Sequence, residues 1–320
     1  MIYHIIDHIG FGTIHKLLLP LNDKNTNHEV IDFDNYLKLE NIASKMSETD
    51  IIVIHTTASK KSNFIYNFLK YFKDKKVYIF MHVSANYEVY KGRKDILIYL
   101  KYLNDNFETI VLTPSKEVTE QYKKIGINAR TIQLGVDFSK IDTNEKEELS
   151  PYYNKIITTC SSDNDIYKYV KGIDIYEEFI NRNNLKKYAL IAGTNEFGEI
   201  NLPCRQFAEN DFLNILSHSI MYVQFSRFES YNLTATFSKF LKIPVLLLNS
   251  EGNYSCMRGN VYEDIYELEA DALKIMSGNV NYQLLENMHN DALTRESIIN
   301  FKQELELLRR EKNEFTKKRI

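Results

Sequence analysis

The sequence predicts an α/β protein of two tandem domains, each built on a largely parallel sheet that helices cover on both faces. Short apolar runs rich in Ile, Val and Tyr alternate with helical segments along the chain. Runs such as TDIIVIH and KVYIFMHV are continuously apolar, which is typical of strands buried on both faces. The alternation pauses once, at 138–154, and then restarts. Because such alternation implies right-handed crossovers, each half is predicted to be Rossmann-like.

The first half contains six predicted strands. They lie near 1–7, 28–33, 51–55, 77–83, 109–115 and 129–135. Helices are predicted in the gaps between them, near 36–47, 60–72, 94–104 and 115–125. The first domain is therefore predicted to span 1–145.

The segment 138–154 is polar, contains Pro151 and has no apolar periodicity, so we interpret it as an interdomain linker. The alternation beyond it predicts a second domain over 146–294. Its strands are predicted near 155–161, 188–194, 220–226 and 244–250, with a short one near 259–263. Its helices are predicted near 172–183, 209–218, 231–241 and 266–277.

The last segment, 295–320, is predicted to form one long helix. Its apolar residues fall on one stripe, formed by Ile298, Phe301, Leu305, Leu308 and Phe315. The preferred interpretation is a packing helix with a solvated, charged face. Two alternatives stay open: a coiled-coil dimer, and a basic helix at a membrane surface. The basic residues that favour the second are Arg309, Arg310, Lys317, Lys318 and Arg319.

Composition narrows the class of protein. The 320 residues are 44% hydrophobic and 26% charged, which suits two globular domains with their own cores. A net charge of −3 argues against a general attraction to nucleic acid. The cysteines, Cys160, Cys204 and Cys256, lack the spacing of a zinc site or a disulfide framework. With neither a signal peptide nor an apolar run of about 20 residues, a cytoplasmic protein is expected.

Ligands of open α/β sheets bind beyond the carboxyl ends of the strands. Gly10 and Gly12 follow the first strand, where glycines let the backbone approach a phosphate; a tight turn without a ligand is the alternative. The third glycine of the dinucleotide fingerprint is absent, which disfavours NAD. His82 lies at the end of a strand, either as a hydrogen-bond donor to a sugar hydroxyl or as a structural histidine.

The second domain carries the more informative loops. Lys171 and Gly172 are predicted beside a helix N-terminus, where a lysine charge and free N–H groups suit a diphosphate. Glu229 follows the strand near 220–226, and the backbone at 232–234 opens the next helix. One loop thus offers an acceptor for sugar hydroxyls and donors for phosphate oxygens, which a nucleotide-sugar requires. For Glu229, helix capping is the alternative.

Several short blocks form an ordered pattern. They are Thr113-Pro114-Ser115 followed by Gly135-Val136-Asp137, then Lys171-Gly172-Ile173-Asp174, then Ser226-Arg227-Phe228-Glu229 through Leu233-Thr234, and finally Pro244-Val245 followed by Ser250-Glu251-Gly252. In these blocks the chain resembles the large retaining glycosyltransferase family, family 4-like, that includes bacterial glycogen synthases and many lipopolysaccharide and teichoic-acid transferases. The resemblance covers nearly the whole chain.

The resemblance implies the GT-B fold: two facing Rossmann-like domains with a C-terminal helix that crosses back. It implies an acceptor-binding N-terminal domain and a C-terminal domain that binds a nucleoside-diphosphate sugar. Transfer, of a hexose by preference, would proceed with retention, without a metal or cofactor, and the leaving phosphate would take the acceptor's proton. The catalytic residues would be Glu229 and His82. The donor-binding residues would be Gly10, Gly12, Lys171, Asn232, Leu233, Thr234, Phe237 and Arg258.

The sequence departs from the family pattern at three positions. Phe237 replaces the second glutamate, which holds the ribose, although glycogen synthases also have an aromatic residue there. The arginine expected after the strand near 155–161 is absent, and Lys168 or Arg258 is the candidate to replace it. Asn232 replaces a glycine and can adopt a left-handed backbone.

Other functions fit parts of the same sequence. The alternative is a catalytically weakened partner subunit that binds a polypeptide or a second transferase. A sugar-nucleotide epimerase shares the architecture, but its histidine and carboxylate set is not evident. For the transferase, the expected partners are a nucleotide-sugar donor and a carbohydrate, lipid-linked or protein acceptor, with no nucleic acid. Peripheral contact with the inner face of the membrane and the oligomeric state stay open.

Overall fold

The computed structural model describes most of the chain. The described residues are 1–6, 18–21, 27–32, 36–56, 77–107, 109–162, 164–194, 200–250 and 260–318. The chain divides into two compact units, of which the first comprises Met1–Asp137 with Arg295–Ile320 and the second comprises Phe138–Thr294. The C-terminal segment therefore belongs to the same unit as the N-terminal half.

The first unit contains a parallel sheet with the strand order β2-β1-β3-β4-β5-β6. Its strands are β1 (Ile2–Ile6), β2 (His28–Asp32), β3 (Ile51–Thr56), β4 (Val77–Met81), β5 (Ile110–Thr113) and β6 (Ala129–Thr131). Its helices are α1 (Tyr36–Lys45), α2 (Ala85–Tyr90), α3 (Lys94–Asn106) and α4 (Lys116–Lys124), besides a 3-10 helix at Leu19–Leu21. All six strands were predicted from the sequence. The helix predicted near 60–72 lies outside the described residues.

Both faces of this sheet are buried, as the continuous apolar runs require. Every residue of β1 and of β4 is buried. On one face Ile5, Ile54 and Ile79 pack with apolar residues from α1 to α4. The opposite face includes the alternate positions of the same strands, among them His4 and Val53, both fully buried.

The C-terminal helix belongs to the first unit and begins later than predicted. Instead of one helix from 295, α10 (Tyr282–Arg295) ends there and α11 (Ile298–Lys318) begins after a break of two residues. Ser297 forms a β-bridge to Val136 at this break. A Cβ atom on Gly135 would lie 2.5 Å from the Ser297 carbonyl oxygen, so the close approach requires glycine. From the predicted stripe, α11 buries Phe301, Leu305 and Leu308.

The second unit contains a parallel sheet with the strand order β9-β8-β7-β10-β11-β12. Its strands are β7 (Ile156–Thr159), β8 (Ala189–Ala192), β9 (Cys204–Arg205), β10 (Met221–Gln224), β11 (Val245–Leu248) and β12 (Val261–Tyr262). The helices before α10 are α5 (Asp165–Lys171), α6 (Ile173–Arg182), α7 (Glu209–Ser217), α8 (Leu233–Phe240) and α9 (Ile265–Met276). This 3-2-1-4-5-6 order is that of a Rossmann fold.

Several segments of the second unit differ from the sequence predictions, and among them β9 and α10 were not predicted at all. The segment 138–154, interpreted as a linker, belongs to this unit and contains 3-10 helices at Phe138–Lys140 and Glu147–Tyr152. The Tyr153 hydroxyl, just after the second of these, donates to Asn214 Oδ1 at 2.7 Å. The polar stretch after β7, predicted as a loop, forms helix α5 because Asn164 caps it by accepting the Ile166 N–H.

None of the helices in the described part of the chain has the length and apolarity needed to cross a membrane.

Candidate functional site

The sheet of the second unit reverses its winding between β7 and β10, since the chain runs outward from β7 in one direction and then from β10 in the other. In open α/β sheets, the carboxyl ends of two such strands form the crevice that binds ligands. The segments at these ends are the α5–α6 junction, the loop at 225–232 and the start of α8. Four of the eight donor-binding residues implied by the sequence lie there, namely Lys171, Asn232, Leu233 and Thr234.

Lys171 is positioned by a close contact between two backbone segments. It is the last residue of α5, and Gly172 after it has a left-handed backbone with φ of 64°. A Cβ atom on Gly172 would collide with the Phe225 carbonyl oxygen. The Arg227 N–H also donates to the Val170 carbonyl at 2.8 Å. The glycine therefore brings the end of α5 against the loop after β10.

Lys171 and Glu229 form an ion pair at this contact, with 2.7 Å between Nζ and Oε2. The side chains are 23% and 11% exposed, respectively. Burial is the largest influence on the lysine and lowers its pKa, but the charge and hydrogen bond of Glu229 outweigh it and hold the pKa above its usual value. The site thus contains a fixed, charged amine and a nearly buried carboxylate at the end of β10.

A buried polar network supports the pair. Gln224 Nε2 donates to the Lys171 carbonyl at 3.0 Å and to Ser226 Oγ at 2.7 Å. The Tyr222 hydroxyl donates to Gln224 Oε1 at 2.6 Å, and Thr159 Oγ1 from β7 reaches the same oxygen at 3.2 Å. Burial raises the pKa of Tyr222 to about 12, so its hydroxyl stays protonated. Networks of this kind hold the backbone of neighbouring strands in one arrangement.

Asn232 forms the N-cap of α8. Its Oδ1 accepts the Ala235 N–H at 3.0 Å and lies 3.2 Å from the Tyr222 hydroxyl oxygen. The expectation of a left-handed backbone is wrong: φ is −98° and ψ is 93°, because a capping residue adopts an extended backbone. Its Nδ2 is buried and has no hydrogen-bond partner within the described part of the chain.

The start of α8 offers backbone donors beside that amide. Leu233 and Thr234 are the first two residues of the helix. N–H groups in the first turn have no acceptor inside the helix and attract anions. The end of β10 therefore combines N–H donors, an amide nitrogen and a lysine amine within one loop and its flanking helices.

Phe237 contributes to an aromatic cluster. Its ring meets the Phe138 ring edge-on, with 6.2 Å between centroids, and Phe138 stacks on Phe240 at 4.3 Å. Phe237 is only partly buried. This packing attaches the segment after 137 to α8, and the donor-binding role of Phe237 stays a prediction.

Sequence reasoning missed the role of Arg227 in this site. The guanidinium makes two hydrogen bonds to the Asp174 carboxylate, at 2.7 and 2.6 Å, and lies over the Tyr169 ring at 4.1 Å from its centroid. Burial raises the pKa of Asp174, but the bonds to Arg227 outweigh it and hold the pKa below its usual value. The signal was present, because Arg227 and Asp174 belong to two of the matched blocks. Their pairing clamps the α5–α6 junction to the loop that carries Glu229.

Five residues named from the sequence remain. Gly10, Gly12 and Arg258 lie outside the described residues. Lys168, a candidate to replace the missing arginine, has Nζ 3.0 Å from Asp165 on its own helix. His82 belongs to the first unit and directly follows β4, where its Nε2 lies 3.1 Å from His55 Nδ1. Burial lowers the pKa of His82 to about 3, so its ring is neutral.

No group of three or more His, Cys, Asp or Glu side chains suited to holding a metal ion occurs in the described ranges.

The fold is that of the GT-B glycosyltransferases, to which the neighbouring solved structures belong. Sucrose-phosphate synthase from Thermosynechococcus elongatus matches with a TM-score of 0.73 at 12% identity, over 97% of this chain and 98% of that chain. Anabaena HepE in complex with UDP matches with a TM-score of 0.70 at 12% identity, over 96% and 98%. The pneumococcal O-GlcNAc transferase GtfA in complex with UDP and GlcNAc matches with a TM-score of 0.58 at 13% identity, over 86% of this chain and 59% of that chain.

No family model and no curated sequence matches the chain. At these identities the structural likeness establishes the fold alone. It confirms the predicted fold class, and the chemistry rests on the residues of the site.

Proposed function

We propose that the protein is a glycosyltransferase that moves a sugar from a nucleoside-diphosphate sugar to an acceptor. Transfer proceeds with retention of configuration and without a metal ion, and the sugar is a hexose. The second unit binds the donor, and the first unit binds a carbohydrate, lipid-linked or protein acceptor. The presence of UDP in the structures of HepE and GtfA supports UDP as the nucleotide to test first.

The ion pair between Lys171 and Glu229 carries this proposal. Its atoms lie 2.7 Å apart at the carboxyl end of β10, beside the first turn of α8. The amine and the helix N–H groups suit the two phosphates, and the carboxylate suits the sugar hydroxyls. A nucleotide-sugar presents these two kinds of group side by side, so one loop can hold both ends of the bond that breaks.

The same residues supply the electrostatics of transfer. As the glycosidic bond to the diphosphate breaks, negative charge collects on the phosphate and positive charge on the sugar. The charge of Lys171 and the N–H groups at Leu233 and Thr234 stabilise the negative charge on the phosphate. Glu229 stabilises the positive charge on the sugar. The buried polar network of Gln224, Ser226 and Tyr222 holds the pair in place, so the charged side chains need little reorganisation during the reaction.

The same donors support the proposal of metal independence. A lysine charge, an amide nitrogen and helix N–H groups can together offset part of the charge of a diphosphate, the part that a divalent cation would otherwise offset. The proton of the acceptor hydroxyl passes to the departing phosphate, and the neutral ring of His82 orients the sugar or the acceptor.

A thermal-shift panel of UDP-, GDP- and ADP-sugars tests the donor class. A ligand present at 100 times its dissociation constant stabilises the folded state by about 2.7 kcal/mol, which gives a measurable rise in melting temperature. We expect one nucleotide series to stabilise the protein, the diphosphate more than the nucleoside, and equally with or without a chelator. Absence of any shift across the panel, at concentrations well above 1 mM, would contradict the proposal.

The configuration of the product tests retention. The donor that gives the largest shift is incubated with the protein in water, and the released sugar is followed by proton NMR before its anomers equilibrate. The expected first product has the anomeric configuration of the donor. First appearance of the opposite anomer would replace retention with inversion and leave the donor class intact.

A further inference from the structure

Four histidines form a row on one face of the first sheet, and we name them the histidine row. His28 begins β2, His4 lies within β1, His55 lies within β3 and His82 directly follows β4. Their spatial order follows the strand order β2-β1-β3-β4. Because His28 starts its strand and His82 follows the end of its strand, the row runs obliquely across the sheet. It leads from the side where the strands begin, here called the amino edge, to the side where they end, the carboxyl edge.

Each neighbouring pair in the row is within hydrogen-bonding distance through ring nitrogens. His28 Nδ1 lies 3.0 Å from His4 Nε2, and His4 Nδ1 lies 3.0 Å from His55 Nε2. His55 Nδ1 lies 3.1 Å from His82 Nε2. Every contact thus joins an Nδ1 to an Nε2, and the two inner rings use both of their nitrogens.

This alternation restricts where the protons lie. A neutral imidazole has one N–H donor and one bare acceptor nitrogen. Three hydrogen bonds along the row therefore form only when all four rings share one tautomer. Either each ring carries its proton on Nδ1 and donates toward His82, or each carries it on Nε2 and donates toward His28. A ring in the other tautomer would place two N–H groups, or two unprotonated nitrogens, against each other.

The surroundings keep the rings neutral and fixed. His4, His55 and His28 are 0%, 1% and 5% exposed. Phe80 stacks on His55 and His82, with 5.4 and 4.7 Å between centroids, and Phe301 of α11 meets Phe80 edge-on. Burial lowers the pKa of all four rings, and neighbouring histidines lower those of His4 and His55 further.

Charged groups act on the His28 end. Glu306 on α11 raises the pKa of His28, whereas Lys302 and Arg309 on the same helix and the N-terminal amine lower it. Burial outweighs them and sets the pKa of His28 at about 4. The amino-edge end of the row therefore lies within the field of charged groups, whereas His82 lies at the edge where α/β sheets bind ligands.

We propose that the histidine row is a proton relay between His82 at the carboxyl edge of the first sheet and His28 at its amino edge. A proton that arrives on the bare Nδ1 of His82 releases the Nε2 proton of that ring to His55 Nδ1. The inner rings then each pass on their own Nε2 proton, and His28 releases one from Nε2 to water. One proton enters and one leaves, and all four rings change from the Nε2–H to the Nδ1–H tautomer.

In this account His28, His4 and His55 are positioning residues that act through His82. They determine whether the His82 nitrogen that is not bonded to His55 presents a proton or a lone pair. The relay concerns the free protein, so it can be tested without a donor sugar, and its failure would leave the proposed transferase function standing.

NMR of the ring nitrogens tests the relay directly. The full-length protein is labelled with ¹⁵N in its histidine rings, and signals are assigned by single His-to-Asn variants. At pH 7.5 the four rings of the row should be neutral and share one tautomer. A row in which two neighbouring rings hold opposite tautomers would overturn the proposal.

Coupling along the row is the second readout. In His28→Asn the shorter amide can still bond to His4 but cannot pass a proton on. We expect the tautomer ratio of His82 to shift by about two- to tenfold, the range that one hydrogen bond controls. In the double variant with His4→Phe, which interrupts the row, His28→Asn should have no effect on His82.

Val53→Ala is the matched control. Val53 is fully buried on the same face and pairs in register with His4, so the change loosens packing without removing an imidazole. It should leave the His82 tautomer ratio unchanged. If His28→Asn moves the His82 signals no further than Val53→Ala does, the row is packing alone. If the double variant fails to fold, comparison of the His82 signals in His28→Asn and in Val53→Ala still decides between a relay and packing alone.

Discussion

Lys171 and Glu229, 58 positions apart in the sequence, are joined by an ion pair of 2.7 Å at the carboxyl end of β10. The two residues come from different segments, which Gly172 and the Arg227–Asp174 pair hold in contact. A charged amine so close to a nearly buried carboxylate means that a change in one residue alters the environment of the other.

Lys171→Met keeps the aliphatic stem and removes the charge. We expect affinity for UDP to fall about 10- to 150-fold, since a charge-assisted hydrogen bond contributes roughly 1.5–3 kcal/mol, while uridine binds nearly as before. The melting temperature should also fall, because Glu229 is left without its partner. Isothermal titration calorimetry and thermal denaturation measure both.

Lys155→Met is the control for that variant. Lys155 precedes β7 at the opposite edge of the same sheet, where its Nζ donates to the Lys187 carbonyl. It should bind UDP as the unmodified protein does. Adding Glu229→Gln to Lys171→Met should recover part of the lost stability, because the unpaired charge is removed. Unchanged UDP affinity in Lys171→Met would exclude the lysine from diphosphate binding.

Asn232→Ser separates capping from ligand binding. Serine retains an oxygen that accepts the Ala235 N–H, so the cap and the melting temperature should be nearly preserved. The buried Nδ2, which we propose as a donor to the nucleotide, is lost. We predict a several-fold loss of UDP affinity in calorimetry. Asn232→Ala, which loses the cap as well, should destabilise the protein by about 1 kcal/mol. Wild-type UDP affinity in Asn232→Ser would show that the Nδ2 group is not used.

Removal of 295–320 should destabilise the first unit. Phe301, Leu305 and Leu308 on α11 are almost fully buried, and their loss would expose apolar surface on the sheet face that carries the histidine row. We expect aggregation or a much lower melting temperature in differential scanning calorimetry. Truncation after Glu311, which keeps these residues and the Arg130–Glu311 ion pair, should melt normally. A soluble protein with an unchanged melting temperature after the longer deletion would contradict the packing role.

The sequence predicted every strand except the two-residue β9, and it predicted the fold class, because the other strands are short apolar runs that favour a buried strand over other structures. It failed where local polarity concealed structure. The stretch before Lys171 is polar, yet the Asn164 cap makes it a helix. The segment 138–154 lacks an apolar period, yet Tyr153 and Phe138 attach it to the second unit.

The candidate site residues were named from the sequence one by one, and the contacts among them were not predicted. Lys171 and Glu229 were assigned to different parts of the donor, and nothing in their spacing indicates that they touch. That contact depends on Gly172 and on the order of strands in space. The histidine row was equally hidden, because its four members come from separate strands and only His82 lies at an edge where function is expected.

Glu229→Gln tests the central claim most directly, because it keeps the shape of the side chain and removes the charge that the account places beside the sugar. Turnover is measured as release of nucleotide from the donor sugar that most stabilises the protein, together with calorimetry on UDP and the melting temperature. Glu178→Gln, in an exposed ion pair with Arg182 on α6, is the control and should behave as the unmodified protein.

The account predicts that Glu229→Gln lowers turnover on the order of 10²-fold or more. UDP affinity should stay within a few-fold, and the fold should be retained. Because Asn232 caps α8, the alternative for Glu229 is a purely structural ion pair with Lys171. Breaking the pair should lower the melting temperature in either case, and a purely structural role predicts little change in rate. A stable Glu229→Gln protein with unchanged turnover would contradict the mechanism proposed for this site.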